Sequence, residues 1–151
     1  MKIAVACDHA GFPYKEVVVS AIGERGHDIL DLGTDSTQSV DFPDYAEAVG
    51  RAIAQKDAER GIIICGSGVG MSIAANKMVG VRAAVCHDIY SAQQGVEHND
   101  MNVLAIGARV IAIEKVPALV AAFLDAKFSG EPRFKRRVSK IDALDAHASP
   151  P

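Results

Sequence analysis

The sequence predicts an α/β domain built on a parallel sheet, and three observations lead there. Short runs of almost unbroken apolar residues recur at 2–7, 28–32, 61–65, 82–86 and 102–107. Such runs mark strands buried on both faces, as parallel strands are; half-exposed strands alternate instead. Segments with helical periodicity separate them, giving the β-α-β alternation of a parallel sheet. The 151 residues suit one domain with a proper core.

The elements follow in order. "KIAVAC" (2–7) is the first strand, and "PYKEVVVSAIGERG" (13–26) a helix with proline at its start and glycine at its end. "DILDL" (28–32) is the second strand, and 33–43 the longest loop. "PDYAEAVGRAIAQKDA" (43–58) is an amphipathic helix with Ala46, Val49 and Ile53 on one side. "GIIIC" (61–65) leads through a glycine loop into a short helix at 71–78. "RAAVC" (82–86) precedes a helix at 88–98 whose Asp88 can cap it. "NVLAIG" (102–107) is the fifth strand. "EKVPALVAAFLDAKF" (114–128) is a mostly apolar helix, and its Pro117 fits only in the first turn. A last helix, about 133–146, carries Val138, Ile141 and Leu144 as an apolar line. One domain over 1–146 with a frayed tail at 147–151 is expected.

Composition narrows the function classes. The chain is 49% hydrophobic and 23% charged with a net charge of −3, so no global basic surface suits nucleic acid. The basic cluster "RFKRR" (133–137) is local. No apolar run is long enough to span a bilayer, and the five-residue apolar run near the N-terminus is too short for a signal peptide. Cys7, Cys65 and Cys86 form an odd set without a C-x-x-C pair, which points to free thiols in a reducing cytoplasm.

Ligands of open α/β sheets bind beyond the carboxyl ends of the strands. There the sequence puts Cys7-Asp8-His9, Cys65-Gly66-Ser67, Cys86-His87-Asp88 and Gly107-Ala108-Arg109, with His98-Asn99-Asp100 in the turn before the fifth strand. The loop "GSGVG" (66–70) lacks the spacing of a dinucleotide fingerprint, the lysine of a P-loop and the G-x-S-x-G of a nucleophile elbow. What remains is a set of backbone N–H groups before a helix, suited to a phosphate or to an oxyanion formed during reaction. The plainer alternative is a tight strand-to-helix turn. Cys65 leads into this nest and can act as base or nucleophile, whereas Cys7 and Cys86 read as buried strand-end cysteines. Asp8-His9 can equally cap a helix, 97–100 form a plain turn, and the arginines at 133, 136 and 137 a solvated face. The histidines have no metal-ligand spacing, so no metal is expected.

"CDHAGF", "DFPDYA", "GIIICGSGVGMSIAANK", Arg82-Ala83, "HNDMNVLAIGAR" and "RFKRRV" together resemble the ribose-5-phosphate isomerase B family, from residue 2 to about 145. That family includes galactose-6-phosphate and allose-6-phosphate isomerases. The resemblance implies a three-layer sandwich on a five-stranded parallel, flavodoxin/Rossmann-like sheet, with a flavodoxin-like strand order. It also implies an aldose–ketose isomerisation of a sugar phosphate through a cis-enediolate, without cofactor or metal. Cys65 would be the base, with Ser67 where the family often has threonine. Gly66, Gly68, Val69 and Gly70 would form the anion hole. A second branch of the family uses a glutamate just after the glycine loop; Met71 stands there in this chain, which favours Cys65. His98 matches the ring-opening acid. Asp8 and Asn99 match groups that hold sugar hydroxyls, and Tyr45 would line the ring. His9, Arg109, Arg133 and Arg137 match the phosphate clamp. Homodimers with shared active sites, made partly through the C-terminal helix, are implied, with a tetramer as the larger alternative.

Ribose 5-phosphate and ribulose 5-phosphate are the expected pair. Allose 6-phosphate, galactose 6-phosphate or a tetrose phosphate are the alternatives. A reading of another class is a phosphate- or nucleotide-binding regulatory module on the same fold; such a module needs neither a base nor a ring-opening acid.

Overall fold

In the computed structural model, which describes residues 1–145, the five apolar runs pair as one parallel sheet. The strands are β1 (Lys2–Cys7), β2 (Asp28–Asp31), β3 (Arg60–Cys65), β4 (Ala83–Val85) and β5 (Val103–Gly107), in the order β2-β1-β3-β5-β4. A flavodoxin-like order would run 2-1-3-4-5; here β5 inserts between β3 and β4, with Ile62 opposite Leu104 and Ala84 also opposite Leu104. The expected end of the last helix at 146 and the tail at 147–151 lie outside the described residues. No helix among those described is long and apolar enough to cross a membrane.

The helices are α1 (Phe12–Gly23), α2 (Phe42–Ala54), α3 (Val69–Ala75), α4 (Ile89–Asn99), α5 (Val116–Asp125) and α6 (Pro132–Asp145). The Asp88 side chain accepts from the Ser91 N–H at 2.7 Å and caps α4 as its sequence position suggests. The region expected to be helical over 114–128 begins with a 3-10 turn, Ile113–Lys115, and its α-helix ends at Asp125. Arg60 explains the early stop: its guanidinium donates to the Phe123, Leu124 and Ala126 carbonyls and satisfies that terminus. The helix after β3 starts two residues earlier than expected, at Val69, because the left-handed Gly68 (φ +81°) turns the chain into it.

Apolar residues from alternate positions of each strand build two cores. Ile3, Val5, Ile62, Ile64, Leu104 and Ile106 face α1, α4 and α5. Ala4, Ala6, Ile63, Cys65, Val103 and Ala105 face α2 and α3. This is the expected three-layer sandwich. The steps from β1 to β2 and from β4 to β5 run one way along the sheet, and their helices share one face. The steps to β3 and to β4 run the other way, and theirs share the opposite face, as a single crossover hand requires. The direction therefore reverses between β1 and β3, and a crevice opens beyond their carboxyl ends.

Val138 on α6 is buried, but Ile141 and Leu144 are 42% and 66% exposed. The apolar line expected along this helix is thus only partly covered within one chain.

Candidate active site

At the β1–β3 crevice, a cleft of ≈ 460 Å³ is lined by Asp8, His9, Ala10, Phe42, Cys65, Gly66, Ser67, Gly70, Arg109 and Val110. Asp8 follows β1 and is buried. Its Oδ1 accepts from the N–H groups of Ala10 and Gly11, each at 2.9 Å, which fixes the carboxylate before α1 begins. It braces this turn rather than capping the helix directly. His9 Nδ1 accepts from the Val40 N–H at 3.2 Å, so the neutral ring carries its proton on Nε2. The loop that supplies Val40 is anchored at its start by Lys15, which donates to the Thr34 carbonyl at 3.1 Å and pairs with Asp31 at 2.6 Å.

Cys65 closes β3. Its sulfur accepts from the Gly68 N–H at 3.1 Å. The loop is pinned from β5, since Ala108 N–H donates to the Cys65 carbonyl at 2.8 Å and Arg109 N–H to the Gly66 carbonyl at 3.0 Å. Gly107 makes this close approach possible: a Cβ there would lie 2.6 Å from the Ser67 carbonyl. His87 Nε2 accepts from the Gly107 N–H at 2.8 Å and fixes the same segment from β4. Burial holds the His87 pKa below the usual histidine value.

Of the four anion-hole donors expected, Gly68 serves the sulfur and the Val69 N–H donates to Ser67 Oγ at 3.2 Å. The N–H groups of Gly66 and Gly70 have no acceptor among the described residues. Ser67 Oγ accepts from Val69 and keeps its own O–H to donate. The Arg109 guanidinium lies against Gly66, 3.1 Å from where a Cβ would stand. Burial pushes the Cys7 and Cys86 thiols up to about 11, so neither is a ready thiolate.

The other expected site residues lie elsewhere. α4 runs back against the strands, so His98 and Asn99, at its end, sit at the amino edge of the sheet, where Asn99 shares a cavity with Arg82 and Met101. They do not join Cys65 at the carboxyl edge within one chain; β5 alone spans about 16 Å between those edges. The His98 ring stacks on Phe134, with centroids 4.1 Å apart and planes 15° apart. Arg133 and Arg137 flank the same ring, their guanidinium carbons 4.6 and 5.7 Å from its centroid. One chain thus carries two groups: Asp8, His9, Cys65, the glycine loop and Arg109 at one edge, and His98, Asn99, Arg133 and Arg137 at the other.

Tyr45 does not line the cleft. It is one turn into α2 and packs, half-buried, against the second core. Phe42, at the start of that helix, lines the cleft instead, its ring 2.8 Å from where a Gly70 Cβ would stand. Phe42 and Phe134 are not among the residues the sequence singles out; His87 is, as a carboxyl-edge residue of the fourth strand, but with no role assigned to it. An aromatic side chain directly before a helix-starting proline, and another one position after Arg133 and three before Arg137, were the available signals.

Comparison with known proteins adds the family context. The model of a family described as Ribose/Galactose Isomerase matches residues 3–141. Ribose-5-phosphate isomerase B of Escherichia coli (strain K12) is 47% identical over 144 residues, covering 95% of this chain and 96% of its own. D-erythrulose-4-phosphate isomerase of Pectobacterium atrosepticum is 40% identical over 131 residues, 86% of each chain. The solved structure of Clostridium thermocellum ribose-5-phosphate isomerase B superposes with a TM-score of 0.95 at 42% identity, covering 99% of this chain and 100% of that one.

Proposed function

Because the chain belongs to the ribose/galactose isomerase family, we propose that it interconverts ribose 5-phosphate and ribulose 5-phosphate, an aldose–ketose isomerisation with Cys65 as base. The observation that carries this reading is the Cys65 sulfur in the cleft, accepting from Gly68 at 3.1 Å beside a fixed Asp8 carboxylate.

In this reading the Cys65 thiolate removes the C2 proton of the open-chain aldose. The electron pair forms the C1–C2 double bond and leaves negative charge on O1 as a cis-enediolate; a proton passes from O2 to O1, the C2 carbonyl forms, and the thiol returns its proton to C1. Negative charge moves from sulfur to sugar oxygen. The Gly68 N–H serves the sulfur, while the N–H groups of Gly66 and Gly70 are left for the oxyanion, each worth about 3–4 kcal/mol in a dry site. Ser67 offers its O–H to the same oxygens. Asp8 holds sugar hydroxyls, and Phe42 takes the lining role expected of Tyr45. His9 and Arg109 receive the phosphate from the cleft side.

His98 opens the cyclic sugar as general acid, Asn99 holds a hydroxyl, and Arg133 with Arg137 completes the phosphate clamp. We infer that a second copy of the chain brings this group to the cleft, because His98 and Cys65 stand at opposite edges of the sheet. The exposed Ile141 and Leu144 on α6 fit burial in such a homodimer. Three free cysteines suit a cytoplasmic enzyme.

The test is turnover, in EDTA, of ribose 5-phosphate, allose 6-phosphate, galactose 6-phosphate and erythrulose 4-phosphate. Ribose 5-phosphate is expected to have the highest kcat/KM. The tetrose phosphate is the second reading, favoured by the Pectobacterium relative; a higher kcat/KM there would replace the pentose. Phosphate binding without turnover of any of the four would support a regulatory module instead.

A further inference from the structure

We infer that Arg82 is the positioning residue of the His98 group, locking the end of α4 and the whole of α6 into one unit. The inference rests on the roles proposed above for His98, Arg133 and Arg137.

Arg82 stands just before β4 at the amino edge, its side chain 18% exposed. Its guanidinium holds three acceptors at once. Nε donates to the Asp100 carbonyl at 2.8 Å and Nη2 to Asp100 Oδ2 at 2.8 Å. Nη1 donates to Asp142 Oδ1, on α6, at 3.1 Å. The first two bonds grip the backbone and the side chain of one residue. That residue ends α4 in the left-handed region (φ +50°, ψ +42°), directly after His98 and Asn99. Aspartate tolerates this conformation better than most residues but at some cost, so the turn benefits from an external hold. Arg82 is itself held: its N–H donates to Asn102 Oδ1 at 2.8 Å, and Asn102 Nδ2 donates to the Gly80 carbonyl at 2.8 Å.

The third bond sets the direction of α6. The His98–Phe134 stack touches α6 near its start and would act alone as a pivot. Asp142 lies eight residues further along that helix, about 12 Å at the usual helical rise. A second tie at that distance, joined by the Gly80 N–H donating to Asp145 Oδ2 at 2.8 Å, fixes the axis and so the reach of Arg133 and Arg137. Three acceptors in different directions call for the planar fork of arginine; the point charge of lysine does not match them.

The test uses the full-length chain with Arg82→Lys, Arg82→Gln and Asp142→Asn, each checked for folding by circular dichroism. Arg82→Lys and Arg82→Gln are expected to lower kcat by roughly tenfold or more, because displacing a catalytic group by about 1 Å is enough for such a loss. Asp142→Asn is expected to raise KM by roughly fivefold with kcat within about twofold, as loss of a substrate-binding contact does. The NMR signals of the His98 ring should shift and broaden in the Arg82 variants, while those of His27, which lies beside Met1 and outside both the cleft and the His98 group, stay in place. A purely structural role would not divide the effects in this way. If Arg82→Gln fails to fold, Asp142→Asn decides, since that carboxylate is 48% exposed. Folded variants with the His98 signals, kcat and KM all unchanged would overturn the inference. The ring measurement needs no substrate, so its result stands even if the wild-type chain proves not to be an isomerase.

Discussion

The backbone N–H of Gly68 donates to the Cys65 sulfur across 3.1 Å, so the donor at the centre of the glycine loop is already directed at the thiol. Cys7 and Cys86 have no comparable arrangement, and burial holds their thiols near 11. Cys65→Ala should therefore abolish isomerisation while phosphate ligands still bind with near-normal affinity. Cys7→Ala and Cys86→Ala should keep most activity. A Cys65→Ala enzyme with more than about a tenth of wild-type kcat would remove the cysteine from the role of base, since losing a general base costs roughly 100-fold or more.

His98→Asn separates ring opening from proton transfer. Net conversion of ribose 5-phosphate should fall by roughly 100-fold or more. Exchange of the C1 proton of ribulose 5-phosphate with solvent deuterium should persist, because that ketose reaches the enediolate without a ring to open. Loss of exchange in step with turnover would count against the ring-opening role.

Arg137 flanks Phe134 from an exposed position on α6. Arg137→Ala should raise KM for the phosphosugar by a charge-assisted contact, roughly 1.5–3 kcal/mol, with a smaller effect on kcat. Inhibition by non-phosphorylated sugar analogues should be nearly unaffected. An equal loss for both ligand classes would contradict a phosphate contact.

His87 accepts from the Gly107 N–H through Nε2, which requires the neutral ring, and burial depresses its pKa; Asp88 opposes that shift. As pH falls below about 6.5, the unfolded chain takes up this proton before the folded one. Stability from the contact is thus present above that pH and lost as pH drops through the folded value. Thermal midpoints of the wild type should decline toward about pH 5, and His87→Gln, an acceptor at every pH, should decline less. Parallel curves for the two proteins would rule out His87 as the cause.

Much of this was legible in the sequence. Five largely apolar runs separated by helical segments specify a parallel sheet, and the carboxyl-edge rule finds Asp8, His9, Cys65 and Arg109. The position of β5 inside the sheet is not legible: consecutive strands are more often neighbours, and no residue of the sequence marks the β3–α3–β4 connection as one that leaves a place for β5. His98 and Arg109 share the continuous motif "HNDMNVLAIGAR", yet a strand separates them and carries them to opposite edges. Phe42 and Tyr45 are three residues apart on one helix, and only their depth along its axis decides which reaches the cleft.

The claim that the site assembles from two chains rests on that separation, and one mixing experiment tests it directly. A Cys65→Ala chain retains His98 and Arg137; a His98→Ala/Arg137→Ala chain retains Cys65. Each homodimer is expected to be inactive. After subunit exchange, one site of every heterodimer combines an intact Cys65 with an intact His98 and Arg137, and ribose 5-phosphate isomerisation should return. No activity, with heterodimers demonstrated by mass spectrometry, would contradict the account and place both groups within a single chain's site.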